Sequence, residues 1–142
     1  MAVNRTSPLI FLVDDDPDFV DIHQRILETN GYRVHTFSSP SEALAELERE
    51  VPDLILTDLM MQELDSGFSF AKRLKSDQRC RAIPVILVTA ISSERGMSFN
   101  PHSEEELHAL GADAYFEKPL SSSALLAKIT ELLQRSAGRK DT

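Results

Sequence analysis

Acidic side chains follow two apolar segments of this chain. Asp14 and Asp15 come directly after the run Pro8–Val13, and Asp58 follows Leu54–Leu56 after a single threonine. Both runs have the unbroken apolar character of parallel strands that are buried on both faces. In an open α/β sheet, ligands and chemistry collect outside the carboxyl ends of the strands. We therefore expect three carboxylates to converge at one edge of a sheet.

Three neighbouring carboxylates repel one another unless a cation lies among them. Oxygen ligands without a nearby His or Cys select a hard divalent ion, and a shallow site that keeps several waters suits Mg²⁺. Later apolar segments end at Thr89, a hydroxyl donor, and shortly before Lys118, a fixed positive charge. A metal, a lysine and a hydroxyl around one carboxylate are what an acyl phosphate on that carboxylate requires. We predict that Asp58 accepts a phosphoryl group.

The elements that must position these side chains alternate between strand and helix patterns. Five strand-helix units joined by right-handed crossovers predict an α/β fold with a five-stranded parallel sheet and helices on both faces. The first and third strands are the natural neighbours at the switch point of such a sheet. The predicted strands are Pro8–Val13, Tyr32–Phe37, Leu54–Leu56, Pro84–Val88 and Ala112–Phe116, and helices start near Pro17, at Ser39-Pro40, at Asp65 or Ser66, at Ser103 and before Leu125.

Length and composition are typical of one acidic globular domain. The chain has 142 residues, of which 42% are hydrophobic and 27% charged, and its net charge of -8 disfavours a nucleic-acid surface, which requires clustered Lys and Arg. No apolar run approaches a membrane span, the N-terminus lacks a signal-peptide core, and one cysteine forms no disulfide framework. We expect a cytoplasmic protein with an extension at residues 1–8, a domain at 9–135 and a flexible tail at 136–142.

Four short motifs, taken in order, resemble the receiver domain of two-component response regulators. They are Val13-Asp14-Asp15-Asp16, Leu56-Thr57-Asp58-Leu59-Met60, Val88-Thr89-Ala90 and Glu117-Lys118-Pro119. The resemblance extends over nearly the whole chain, and the four motifs in this order are highly specific. It implies a flavodoxin-like fold with strand order 2-1-3-4-5.

The resemblance also implies a role for each site residue. Asp58 would take a phosphoryl group from a histidine kinase or a phosphotransfer protein. Thr89 would be the switch hydroxyl, and Lys118 would pair with the phosphate. Tyr115 would change rotamer on activation. Phosphorylation would thereby change the partner-binding surface around the fourth helix, the fifth strand and the fifth helix. The resemblance does not identify the downstream target protein. It also leaves open whether the domain forms a homodimer. The implied Mg²⁺ ligands are Asp14, Asp15, Asp58 and the backbone carbonyl of Met60.

Two alternatives belong to other functional classes. Asp14-Asp15-Asp16 is similar to the nucleophile motif of haloacid-dehalogenase-type phosphatases, which also use an aspartyl phosphate, Mg²⁺, Thr and Lys. That family requires Thr or Val after its Asp-x-Asp motif, whereas Pro17-Asp18 stand here, and the chain has no room for a cap domain. A receiver-like binding module that is never phosphorylated is disfavoured because all five functional positions carry competent side chains.

Two segments depart from the receiver pattern. Residues 61–67 lack the usual proline and Met-Asp-Gly turn. The separation of Thr89 and Lys118 is several positions longer than usual, and the surplus lies in Ser92–His102. We expect this insertion to influence partner choice or dimer geometry.

Several other side chains have simpler interpretations. Asp16 is assigned to the start of a helix rather than to the metal. Tyr115, considered alone, is typical of a strand aromatic. Cys80 lies between two arginines, which would lower its pKa, but it is interpreted as a loop thiol without consequence. The histidines, which show no metal-ligand spacing and are assigned to the surface, are His23, His35, His102 and His108.

Overall fold

The computed structural model describes residues 7–58, 72–89, 112–118 and 120–140. Four features expected from the sequence lie outside these ranges. They are the helix start at Asp65 or Ser66, the helix start at Ser103, the turn at residues 61–67 and the Ser92–His102 insertion.

Five parallel strands form one sheet in the order β2-β1-β3-β4-β5. This order confirms the flavodoxin-like topology, including the neighbouring first and third strands. Each predicted strand is present, with small shifts at its ends. The strands are β1 (Leu9–Val13), β2 (Arg33–Phe37), β3 (Leu54–Asp58), β4 (Val85–Thr89) and β5 (Ala114–Glu117).

The strands differ in burial according to their place in the sheet. Every residue of β1 and β3 is buried, as expected for central strands that are covered on both faces. In β2, by contrast, buried Val34 lies between exposed Arg33 and half-buried His35. This alternation of exposed and buried residues is expected for β2, which lies at one edge of the sheet.

Helices cover both faces of this sheet, as predicted. The first helix, α1 (Pro17–Thr29), and the last, α3 (Ser122–Lys140), pack on one face, against a core that includes Ile10 and Leu12. The second helix, α2 (Pro40–Leu47), and the helical residues 72–76 pack on the other face, against Phe11 and its neighbours. No helix in the described ranges is long and apolar enough to cross a membrane.

Side chains at the helix ends explain where the helices begin. Asp16 is the N-cap of α1, and its carboxylate accepts hydrogen bonds from the backbone amides of Asp18 and Phe19, which confirms its assignment to the helix start. Ser39 caps α2 through the amide of Glu42. The Glu42 carboxylate accepts from the backbone amide of Ser38, one residue before the position that a standard capping box would use.

Asn30 and Gly31 define the end of α1. Asn30 is the C-cap, and Gly31 has a φ of 94°, in the left-handed region that favours glycine. The last helix continues to Lys140, within the segment 136–142 that was expected to form a flexible tail.

Two side chains, one assigned to the surface and one interpreted as a loop thiol, are buried. His23 is only 9% exposed; it stacks on the ring of Phe19, and its Nδ1 lies 2.9 Å from the carbonyl oxygen of that residue. Cys80 is 1% exposed and belongs to the core under α2. Burial raises the pKa of the Cys80 thiol, and the nearby Asp77 carboxylate raises it further. These effects outweigh the lowering by Arg79, so the net shift of this pKa is upward.

An aspartate before each of two strands fixes the register of the neighbouring strand. Asp53 accepts a hydrogen bond of 2.8 Å from the amide of Leu9, the first residue of β1, and donates one of 2.7 Å to the carbonyl oxygen of Leu9. Asp113 makes the same pair of bonds with Val85, the first residue of β4, at 2.9 and 2.7 Å. Each aspartate thus satisfies a backbone donor at the sheet's amino edge.

We expect the Asp53→Ala variant to lose about 1–2 kcal/mol of unfolding free energy, because the Leu9 amide then lacks its acceptor. Asp53→Asn keeps a carbonyl oxygen at that place and should lose less. Urea denaturation with an unchanged slope measures both values. Equal losses for the two variants would contradict the assigned hydrogen bond.

Candidate functional site

The carboxyl ends of β1 and β3 bring three aspartates together. Val13 pairs with Thr57 across the two strands, so the residues that follow each of them, Asp14 and Asp58, lie side by side. Carboxylate oxygens of Asp14, Asp15 and Asp58 lie within 4.8 Å of one another. The predicted convergence of three carboxylates is therefore present.

The three carboxylates differ in their access to solvent. Asp14 is 2% exposed and Asp58 6%, whereas Asp15 is more accessible. Both oxygens of Asp14 have partners: Oδ1 accepts from the amide of Asp16 at 2.9 Å, and Oδ2 accepts from Lys118 Nζ at 2.9 Å. The Asp14 carboxylate is thereby held in one orientation at the floor of the site.

Lys118 is the cation that links two of these carboxylates. Its Nζ lies 2.9 Å from Asp14 Oδ2 and 3.6 Å from Asp58 Oδ2, and its side chain is 15% exposed. Burial alone would lower the pKa of Lys118, but the hydrogen bond to Asp14 and the charges of Asp58, Asp14 and Asp16 outweigh it and raise the pKa above its ordinary value. Lys118 therefore remains charged throughout the neutral pH range.

One ammonium does not balance three carboxylates. The site keeps an excess of negative charge in partly desolvated surroundings, where like charges repel strongly. Its donor atoms are all carboxylate oxygens, the set that hard divalent cations prefer. The residues present therefore fit a Mg²⁺ ion.

The remaining predicted site residues lie at or beyond the same edge. Val88 pairs with Asp58, and the next residue, Thr89, pairs with Glu117, which precedes Lys118. The backbone of Thr89 thus lies between the ends of β3 and β5, whereas its side chain and the carbonyl of Met60 lie outside the described part of the chain.

Tyr115 lies within β5, opposite Leu87 of β4. It is partly buried and packs against the core under α2. Burial and the nearby Glu117 carboxylate raise the pKa of Tyr115 to about 12. Tyr115 thus belongs to a strand that β4 separates from β3, the strand that ends at Asp58.

Sequence reasoning missed one contact of the site. Lys118 Nζ lies 4.3 Å from the centroid of the Phe19 ring, a cation–π distance. No spacing signal links the first turn of α1 to the residue after β5, because the contact depends on tertiary packing alone.

Fold and site together define an α/β domain with a lysine-bridged carboxylate cluster at its carboxyl edge. The family model for the response regulator receiver domain matches residues 10–130. Among curated proteins, RpaA of Synechocystis sp., described as a DNA-binding dual master transcriptional regulator, is 34% identical over 131 residues, covering 91% of this chain and 50% of RpaA. Response regulator SaeR of Staphylococcus aureus is 36% identical over 126 residues, covering 89% and 50% of the two chains.

Solved structures give the same result. The receiver domain of a signal transduction histidine kinase from Syntrophus aciditrophicus is 31% identical with a TM-score of 0.75, covering 90% of this chain and 91% of that one. A CheY-like receiver domain protein from Methanospirillum hungatei is 28% identical with a TM-score of 0.78, covering 94% and 99%. The chain belongs to the response regulator receiver family, the phosphoacceptor domains of two-component signalling. It spans about half the length of the curated relatives described above.

Removal of the shared ammonium should destabilise the domain. In metal-free buffer, we expect Lys118→Met to lower the unfolding free energy by about 2 kcal/mol, because two buried carboxylates lose their counter-charge. The more accessible pair of Lys128 and Glu131, whose side chains are 35% and 43% exposed, provides the control, since Lys128→Met should cost less than about 0.5 kcal/mol. Denaturant titration measures both, and similar small losses would show that Lys118 does not offset the repulsion.

The ionisation of Tyr115 should be late. Because its pKa is raised in the folded state, the contribution of the neutral phenol to stability is complete below the unfolded pKa of about 10 and is lost as pH rises toward about 12. Phenolate absorbance should therefore show a transition near pH 12 that is absent in Tyr115→Phe. A single transition near pH 10 for all tyrosines would contradict the burial of this ring.

Proposed function

We propose that Asp58 is the phosphoacceptor of this receiver, in a two-component or phosphorelay system. The observation that carries the proposal is the sharing of the Lys118 ammonium between Asp14 and Asp58, 2.9 and 3.6 Å away, beside a third carboxylate. An acceptor needs neighbours that neutralise a new phosphoryl group, and this arrangement supplies them.

The geometry favours Asp58 over its two neighbours as the acceptor. Asp14 has an amide on one oxygen and the Lys118 ammonium on the other, and these bonds reduce its nucleophilicity. Asp15 is the more solvent-accessible carboxylate, as suits a ligand of a partly hydrated ion. Asp58 ends the central strand, and the Lys118 ammonium, 3.6 Å from its Oδ2, is near enough to pair with a phosphoryl group added there.

The transfer would proceed from a phosphohistidine of a kinase or phosphotransfer protein. A carboxylate oxygen of Asp58 attacks phosphorus, the nitrogen–phosphorus bond breaks, and the leaving imidazole keeps that electron pair and takes up a proton. The product is an acyl phosphate on Asp58. Lys118, already 3.6 Å from the acceptor, would pair with a phosphoryl oxygen, and the hydroxyl of Thr89 would donate to another.

The same carboxylates would hold the metal. The proposed Mg²⁺ ligands are Asp14, Asp15, Asp58 and the backbone carbonyl of Met60. When bound, the ion neutralises charge that develops on the phosphoryl oxygens. The three described ligands already stand within 4.8 Å of one another, so binding requires little rearrangement of their side chains.

The output would be a change at the surface around β5 and α3. Lys118 follows β5 directly, and Tyr115 lies within this strand. Movement of the ammonium toward the phosphate would therefore displace residues of β5, and Tyr115 would change rotamer. We propose a partner protein as the target, with the Ser92–His102 insertion setting partner choice or dimer geometry. The net charge of -8 does not favour contact of this domain with nucleic acid, and a cytoplasmic location fits a kinase partner.

The geometry counts against the phosphatase alternative. That chemistry would require the Asp14-Asp15-Asp16 motif to supply two working carboxylates from Asp14 and Asp16. Asp14 is already bonded through both oxygens, and Asp16 is committed to the amides that begin α1. The contacts of both carboxylates are thus those of a site floor and a helix cap.

Intact mass after incubation with a small acyl-phosphate donor tests the proposal. We expect a Mg²⁺-dependent gain of one phosphoryl group by the wild type and none by Asp58→Asn. A gain that survives Asp58→Asn but disappears in Asp14→Asn would support the phosphatase-like alternative. No gain under any condition would support a binding module that is never phosphorylated.

A further inference from the structure

The ring of Phe19 forms one wall of the space that holds the Lys118 ammonium. Nζ lies 4.3 Å from the ring centroid, while its two carboxylate neighbours lie 2.9 and 3.6 Å away. We propose that Phe19 is a positioning residue for phosphoryl transfer, holding the Lys118 ammonium by a cation–π contact between Asp14 and Asp58. This inference rests on the proposed function.

The ring is itself held by the site. The N-cap carboxylate of Asp16 accepts from the amides of Asp18 and Phe19, and the amide of Asp16 donates to Asp14 Oδ1. A short chain of hydrogen bonds therefore connects the first turn of α1 to the floor of the site. Any shift of this turn would move the ring relative to the carboxylate that binds Lys118.

His23 supports the ring from one side. Its imidazole stacks on Phe19 with centroids 3.9 Å apart and planes inclined by 24°, and its Nδ1 lies 2.9 Å from the Phe19 carbonyl oxygen. A ring face covered at this distance has no room for an ammonium, so Lys118 takes the other face. The Phe19 ring is thereby fixed between an imidazole and a cation.

The ring gives Lys118 a partner that does not compete with the reacting groups. A hydrogen-bond acceptor would fix the direction of an N–H bond, whereas the face of an aromatic ring attracts the whole charge. Nζ can then turn from Asp14 toward a phosphoryl oxygen on Asp58 while it keeps its contact with Phe19. A leucine at position 19 would fill similar space without attracting the cation, so Lys118 would sample orientations that miss the phosphoryl group.

Phosphorylation kinetics with a small acyl-phosphate donor at saturating Mg²⁺ test this role. We expect Phe19→Leu to slow the gain of phosphate by about threefold to tenfold, the range that a partly buried cation–π contact provides. Phe19→Tyr, which keeps the ring face, should restore the rate to within about twofold. Phe11→Leu is the matched control, because Phe11 is a buried ring of the opposite core and its loss affects packing without touching Lys118.

Equal rates for Phe19→Leu and wild type, or equal slowing by Phe19→Leu and Phe11→Leu, would overturn the proposal. A second measurement does not depend on phosphorylation: in wild type, the ring current of Phe19 should shift the Cε proton resonance of Lys118 upfield, and Phe19→Leu should abolish that shift. Absence of the shift in wild type would also overturn the proposal. If the shift is present but wild type gains no phosphate, the proposed function fails while the positioning of Lys118 by Phe19 is upheld.

Discussion

The burial of like charges is the constraint on which this domain depends. Asp14 and Asp58 are almost inaccessible to solvent, and two carboxylates so placed repel each other strongly because little water screens them. The Lys118 ammonium, which lies between them, offsets part of this repulsion. The three-aspartate cluster would be a liability in a domain that only had to fold, so its presence at a single sheet edge is a functional feature.

The sheet order requires a long side chain at position 118, because Lys118 follows β5 and its partner Asp14 follows β1. Lys118 follows β5, which is separated from β3 by β4 and from β1 by two strands, and neighbouring strands lie about 4.8 Å apart. A short side chain at this position would not reach Asp14. The ammonium of Lys118 reaches Asp14, and there it also meets the ring of Phe19 from α1.

The sequence was informative where local patterns determine structure and uninformative where tertiary packing does. Apolar runs and, for β2, an alternating pattern located the five strands. The aspartates that follow two of them located the acidic site, because parallel strands share a carboxyl edge. Asp16 was recognisable as a helix cap from its position alone. His23, however, sits at a polar-looking position of α1, and its burial depends on stacking with Phe19. Cys80 is likewise buried by α2, a neighbour that no local pattern identifies.

The contacts of Asp14 would couple the proposed metal binding to the proposed phosphorylation. In the structure described, Asp14 shares its two oxygens between the Asp16 amide and the Lys118 ammonium. A phosphoryl group on Asp58 would draw this ammonium away, and Asp14 would then keep only the amide in a site that had gained negative charge. A buried carboxylate without a counter-charge is costly, so another cation must replace the lysine. A divalent ion bound beside Asp14 and Asp15 meets this need, and the departure of Lys118 from Asp14 is therefore easiest when the ion is already present.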